Sequence, residues 1–407
     1  YALDADTQAP AAATPDKFAD RSELLSGLKA MGIPGNMMAY CTVLEKFGTM
    51  PFGKVAEPAI RYLEEGFVLS QRQSHNYKTQ AAQAPMMYPN LARVFAPDGE
   101  WPDAGAIMKN PELAATYRTI AKEGVDAFYK GSIAREMVRY MQENGGLWTM
   151  EDLANYKVLW VEPLHMKYKD LDVYGMPPPS SSVTWMEALK IAEGFDWSKI
   201  EDNSLEYLHL MVEIDRLAHA DSYEFVADPK FVESQAENLL SDNYAAAQRL
   251  RIDRTKAAPG KVQPGKPAEW SRKVPASAAL PDSLASEPVS LAESTRNMAY
   301  RGNTNHVVVV DKDGNCVSFT HTLGQFFGGQ DILGNTGVIG NNGMDWFDLA
   351  DNPWTEKPSN LIVAPGKRNR WTLSPGMFFQ NGKPRILVGG SGAESTMPGI
   401  FQVMIRM

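Results

Sequence analysis

Thr304 opens a strand-like run, T-N-H-V-V-V-V, directly after Gly302 and Asn303. A hydroxyl is a weak nucleophile until a base takes its proton, and a threonine at a chain terminus carries such a base in its own α-amino group. The ordinary α-amino pKa, about 7.7 to 8.0, suits general-base work near neutrality. Were Thr304 the first residue of a chain, no second base residue would be needed. Alone, the pentapeptide G-N-T-N-H describes an ordinary strand start, because threonine is common in strands.

The elements around Thr304 fix what it can meet. Its run is followed by D-K-D-G-N and then C-V-S-F-T-H-T, which reads as a hairpin with Gly314 where a left-handed residue is wanted. A three-residue loop, Lys312-Asp313-Gly314, puts Thr304 opposite Thr322; a two-residue loop shifts the pairing by one. Upstream, residues 256–293 turn to Pro, Ala, Ser, Lys and Gly, the composition of an exposed linker, so a boundary is expected just before Thr304. From Ser22 to about Leu250 the text reads mainly helical. E-P-A-I-R-Y-L-E-E-G-F is one periodic stretch with Gly66 as its C-cap; two more helices are punctuated by Gly124, Gly131 and Gly145-Gly146, and another covers roughly Ser204 to Phe225. Strand-like text surrounds Tyr168 to Met176, and Pro177-Pro178-Pro179 before Ser180-Ser181-Ser182 is a rigid turn.

The totals bound the partners. The 407 residues are 44% hydrophobic and 22% charged, enough for one large or two ordinary globular domains. A net charge of -9 leaves no global basic field for a phosphate backbone, so nucleic acid is not an expected partner. No run approaches the ~18 apolar residues of a membrane helix, and none resembles a signal peptide. Cys41 and Cys316 lie far apart and outside any metal or redox spacing; the six His make no metal cluster, and no cofactor is expected. There is no internal repeat. The chain opens on Tyr1 rather than Met and reads as a fragment or processed product.

The stretch T-N-H-V-V-V-V-D-K-D-G-N-C-V-S-F-T-H-T-L resembles the γ-glutamyltransferase segment that begins with the catalytic Thr and runs T-T-H-Y-S-V-V-D-x-D-G-N-A-V. In register with it follow Phe327-Gly328, N-N-x-M-D from Asn341 to Asp345, G-K-R from Gly366 to Arg368, and Ser374-Pro375. Upstream the likeness runs through A-P-A-A-A-T-P-D-K-F, P-A-I-R-Y-L-E-E-G-F, A-F-Y-K-G-S-I-A, N-G-G-L, E-D-L-A-N-Y, M-P-P-P-S-S and H-A-D-S-Y-E-F-V-A-D-P.

This resemblance implies an α+β fold, the four-layer αββα sandwich of the N-terminal-nucleophile hydrolases, with a large helical portion in the heavy chain. It implies a precursor cut between Asn303 and Thr304, giving a heavy chain, 1–303, and a light chain from residue 304 that is truncated at 407. Each chain is then the other's partner, and the substrate is a small-molecule amide. Thr304 is the implied nucleophile and Thr322 the threonine that hydrogen-bonds it, which agrees with the hairpin register. The stretch V-G-G-S-G-A-E-S resembles the family's G-S-P-G-G-S turn, so the N–H groups of Gly392 and Ala393 are the implied oxyanion donors. The family begins before Tyr1 and continues beyond Met407, and by resemblance alone its setting is periplasmic or secreted.

Substrate contacts depart from the family. Asp6 stands where the family has the Arg that holds a γ-glutamyl α-carboxylate, and Trp346 where it has the Asp that holds the α-ammonium. Gly324 replaces a side-chain amide, and Trp371-Thr372 replace a serine pair. Two like charges ~4 Å apart repel by about 4 kcal/mol at an effective dielectric near 20, so Asp6 opposes a substrate carboxylate. An acylase or amidase for another acyl group is expected, with Trp346 and Trp371 shaping a flatter, less polar pocket or serving as core tryptophans. Shifting the alignment by one would bring Asp345 to the ammonium site, and Arg368 or Arg370 could meet a carboxylate. γ-Glutamyl transfer or hydrolysis is therefore the second reading, and an uncleaved, non-enzymatic binding homologue the third.

Overall fold

The computed structural model describes residues 1–270, 303–351 and 358–407. The class is α+β. Strand β1 (Ala2–Asp4) pairs antiparallel with β2 (Leu159–Val161). Next come β3 (Leu164–Tyr168) and β4 (Leu171–Gly175), a hairpin, then a second hairpin, β5 (Thr304–Val310) with β6 (Cys316–Thr322). β7 (Gly376–Gln380) and β8 (Lys383–Val388) complete a four-stranded sheet in the order β8-β7-β4-β3. Because β4 pairs with β7 from Asp172↔Phe379 to Gly175↔Gly376, residues before and after Thr304 share one sheet. The described strands otherwise make two-stranded ladders, so they establish the mixed class and not four stacked layers.

The helices used below are α1 (Phe52–Glu65), α2 (Pro111–Glu123), α3 (Ser132–Glu143), α4 (Ser182–Ala192), α5 (Leu205–Phe225), α6 (Asp242–Arg249) and α7 (Thr396–Ile405). Gly66 ends α1 at φ +103, and α2 and α3 are separated by a further short helix, Asp126–Tyr129. Ser204 caps α5 by accepting from the Tyr207 N–H, which satisfies a donor the first turn would leave orphaned. The strand-like text from Tyr168 to Met176 takes in the turn and the second arm of a hairpin, Leu171–Gly175. Its first arm, L-H-M-K-Y, begins four residues before Tyr168 and buries Met166 and Tyr168 on one face.

Every residue of α4 is buried, as expected for a helix covered on all sides. Val173 and Phe378 from the sheet, Trp185 and Leu189 from α4, Leu210 and Ile214 from α5, and Phe401 and Met404 from α7 form one core. Burying each such side chain is worth about 1.5–3 kcal/mol. This core fixes α4, α5 and α7 against β4 and β7, and so fixes the turn that enters α7.

Of the expected linker at 256–293, residues 256–270 are described, and they touch α5 at points. The Arg216 guanidinium donates to the Ala258 carbonyl at 2.9 Å, and the Gly265 N–H donates to Asp221 at 2.6 Å. Beside these two anchors Lys256, Ala257, Pro259 and Gly260 are exposed. The rest of that stretch lies outside the described residues.

Candidate active site

β5 starts at Thr304, and the ladder sets Thr304 opposite Thr322, with Gly314 at φ +84 in the connecting turn. Thr304 Oγ1 donates to Thr322 Oγ1 at 3.2 Å, and Thr322 Oγ1 donates to the Asn303 carbonyl oxygen at 3.1 Å. The Gly324 N–H donates to Thr322 Oγ1 at 2.9 Å, while the Asn303 N–H donates to the Gly324 carbonyl at 3.2 Å. A hydroxyl has one proton and two lone pairs, so the Thr322 hydroxyl is fully used. Its single proton points at the carbonyl of the Asn303–Thr304 peptide.

Gly324 has φ +95, and a Cβ built there would fall 1.9 Å from Asn342 Oδ1. The carboxamide of Asn342 thus fills the space that a side chain at 324 would need. It accepts from the Gln325 N–H at 2.8 Å and donates to the Leu25 carbonyl at 3.0 Å. Asn342 was given no role from the sequence; it lies 17 residues from Gln325 and nothing in its spacing announces the contact.

His306 follows Thr304 by two residues and shares its face of the ladder. Its Nδ1 lies 2.8 Å from Thr320 Oγ1, and burial lowers its pKa, which favours the neutral ring. Gly389, just after β8, packs so closely on that ring that a Cβ would come within 2.1 Å of it. The Ser318 hydroxyl donates to the Val388 carbonyl at 3.1 Å. These contacts bring the end of β8, with Gly389 after it, onto the face of the hairpin that carries His306 and Thr304. Among the described residues, the N–H groups of Gly392 and Ala393 donate to no acceptor.

The residues expected to contact substrate are placed as follows. Trp346 is half-buried and Trp371 buried, with ring centroids 6.0 Å apart. The Trp371 carbonyl accepts from the Ser181 N–H at 3.0 Å, so the Pro177–Ser182 turn holds that segment in place. Thr372 is buried, and its carbonyl accepts from Ser374 at 3.2 Å. Asp6 follows β1; its N–H donates to Asp4 at 2.8 Å and its carbonyl accepts from the Tyr156 hydroxyl at 2.9 Å. Burial, and then the neighbouring Asp4 carboxylate, hold the Asp6 carboxyl well above the usual range against the pull of Arg368.

The charged alternatives are occupied. Arg368 is buried and pairs with Asp4 at 2.5 Å, with a second bond to the Lys157 carbonyl at 2.6 Å. Arg370 is buried and pairs with Glu394. Asp345 is paired with Arg21 at 3.4 Å and accepts from Gln325 at 3.2 Å. The two arginines are thus spent on internal carboxylates. The sequence held no signal for this, because the Asp4–Arg368 contact spans 364 positions.

No group of three or more metal-ligating side chains occurs among the described residues, and no described helix is long and apolar enough to cross a membrane.

The family model for gamma-glutamyltranspeptidase matches residues 1–407. A glutathione hydrolase proenzyme of Escherichia coli (strain K12) is 33% identical over 420 residues, an alignment covering 100% of this chain and 67% of that relative. An acylase, ACY 1 proenzyme, of Pseudomonas sp. (strain SE83) is 32% identical over 389 residues, covering 95% of this chain and 62% of that relative. Among solved structures, a cephalosporin acylase from Bacillus halodurans superposes with a TM-score of 0.83 at 26% identity, covering 99% of this chain and 68% of that one. This chain therefore spans about two thirds of the length of its relatives. With the family model matched end to end and two relatives named as proenzymes, the chain belongs to the gamma-glutamyltranspeptidase family.

Proposed function

We propose that this protein is a self-processing amidohydrolase whose nucleophile is Thr304. The observation that carries the reading is the Thr322 hydroxyl, which accepts from Thr304 Oγ1 and donates to the Asn303 carbonyl. In self-cleavage Thr304 Oγ1 attacks the Asn303 carbonyl carbon while the Thr322 proton stabilises the developing oxyanion. The C–N bond then breaks, the nitrogen takes up the hydroxyl proton, and an ester links Asn303 to Thr304 Oγ1. Water hydrolyses that ester, leaving a carboxylate on Asn303 and a free α-amino group on Thr304. The heavy and light chains, and the four-layer sandwich that holds them, belong to the same proposal.

The freed amine then acts as base for its own hydroxyl. Thr304 Oγ1 attacks the substrate amide, Gly392 and Ala393 offer two N–H groups to the oxyanion, and the amine leaves with a proton. Water releases the acyl group and regenerates Thr304. Thr322 keeps the nucleophile oriented throughout.

We further propose that the acyl group is not γ-glutamyl. Arg368, Arg370 and Asp345 are each paired within the protein, and the family's clamp positions carry Asp6 and Trp346. A half-buried Trp346 against Trp371 supports a flat apolar acyl group. The second reading, γ-glutamyl hydrolysis or transfer, is favoured by the 33% identity to a protein named glutathione hydrolase. Comparing γ-glutamyl p-nitroanilide with a panel of simple N-acyl p-nitroanilides decides between them. We expect faster turnover of an N-acyl anilide; robust γ-glutamyl turnover overturns the substrate assignment.

A further inference from the structure

The turn that offers the two N–H groups runs from the end of β8 into α7 through a left-handed alanine. Gly392 has φ +141 and Ala393 has φ +51, and a left-handed alanine costs roughly 1–2 kcal/mol. Within the turn, the Gly392 carbonyl is held by the N–H and hydroxyl of Ser395, at 3.1 and 2.7 Å. A further grip on its centre comes from the next residue, Glu394, which stands where the family motif has a serine.

The Glu394 carboxylate reaches away from the turn into a charged cluster on α5. One oxygen accepts from the Tyr223 hydroxyl at 2.9 Å and from the Arg370 guanidinium. The other lies 3.8 Å from His219 Nε2, whose Nδ1 in turn lies 3.1 Å from Asp215. Arg370 is anchored independently: it donates to the Ser222 hydroxyl at 3.0 Å and lies 4.2 Å over the Tyr223 ring. The Ser222 hydroxyl is bonded to Thr184 of α4 at 2.8 Å. The cluster is therefore part of the α4–α5 core and as rigid as that core.

Its charges agree with the geometry. Burial alone would raise Glu394, but the charges of Arg370 and His219 outweigh it and hold the carboxyl below its ordinary range. Burial alone would lower His219, but Asp215 and then Glu394 outweigh it and raise the imidazole.

We propose that Glu394 is a positioning residue, which ties the Gly392–Ala393 turn to the Arg370, Tyr223 and His219 cluster and so fixes the aim of two transition-state donors. The proposal rests on the reading of that turn as the oxyanion site. Donor placement is demanding, since misplacement by about 1 Å can cost ~10²-fold in rate. The self-cleavage step provides an internal control, because its carbonyl is held by Thr322 and not by this turn.

The test uses the full-length protein and whichever N-acyl p-nitroanilide it turns over best. Glu394→Ala is expected to lower kcat by ~10- to 100-fold, with KM within about threefold and self-cleavage complete. Tyr223→Phe removes one bond to the same carboxylate and should lower kcat by a few-fold with KM unchanged. A Glu394→Ala protein that self-cleaves and keeps wild-type kcat overturns the proposal. If Glu394→Ala fails to fold, Tyr223→Phe decides: a fall in kcat at constant KM supports the role, and unchanged kcat overturns it. Loss of hydrolysis in Thr304→Ala separates this question from the nucleophile assignment; persistent hydrolysis there removes both.

Discussion

Thr322 Oγ1 lies 3.2 Å from Thr304 Oγ1 and 3.1 Å from the oxygen of the peptide that Thr304 would attack. One side chain thus touches both partners of the proposed self-cleavage, the nucleophile and the oxygen on which charge develops. The N–H of Gly324 occupies a lone pair of the same hydroxyl, so its proton has no competing direction.

Replacing Thr322 should separate its hydroxyl from its bulk. Thr322→Val keeps the strand and the volume but removes donor and acceptor. Self-cleavage should slow by ~10²- to 10³-fold, the usual cost of losing an oxyanion donor, whereas Thr322→Ser should remain within about tenfold of wild type. The appearance of two bands over time on a denaturing gel measures both. Equal rates for Val and wild type would remove Thr322 from the mechanism.

Gly324→Ala tests the fit between Gly324 and Asn342. The new methyl meets Asn342 Oδ1 at a forbidden 1.9 Å, on a backbone at φ +95 that an L-residue rarely adopts. Either Asn342 gives up its bonds to Gln325 and Leu25 or the loop shifts, at a cost on the order of 1–3 kcal/mol. The midpoint of thermal unfolding should fall by several degrees. An unchanged midpoint would show that the loop relaxes freely.

Glu187 predicts a pH dependence of stability. It is buried in α4, and burial, then the neighbouring Asp221 carboxylate, raise its carboxyl well above the ordinary 4.5. Around it also stand Tyr244, which donates to Asp221 at 2.6 Å, together with Gln248 and Arg251. Above its ordinary pKa the folded state keeps a proton that the unfolded state has lost. This contribution to stability is fully present below about pH 4.5 and lost as pH rises through the folded-state value. Glu187→Gln stays neutral throughout, so its advantage in melting temperature over wild type should be larger at pH 8 than at pH 5. Parallel melting curves at the two pH values would contradict a raised Glu187.

The Thr304–Thr322 pairing was legible in the sequence because a hairpin's register follows from its turn, and D-K-D-G-N names that turn through Gly314. The Gly66 cap and the helix from about Ser204 to Phe225 were legible for the same local reason. What was hidden depends on side chains meeting across distant elements. The Arg370–Glu394 contact joins residues 24 apart, and Asn342 reaches Leu25 across 317 positions. Composition did not announce the bonds from Ala258 and Gly265 to α5, because each depends on a side chain of that helix. It was silent on Arg368 and Arg370, whose availability is decided by Asp4 and Glu394 and not by their own neighbours in sequence.

The central claim is that Thr304 becomes a chain terminus and a nucleophile. Its most direct test is mass spectrometry with N-terminal sequencing of the purified full-length protein, alongside Thr304→Ala. The account predicts two chains, the smaller beginning at Thr304, and a single uncut chain for Thr304→Ala. A wild-type protein that remains one chain over time, or a cut that survives Thr304→Ala, would contradict it.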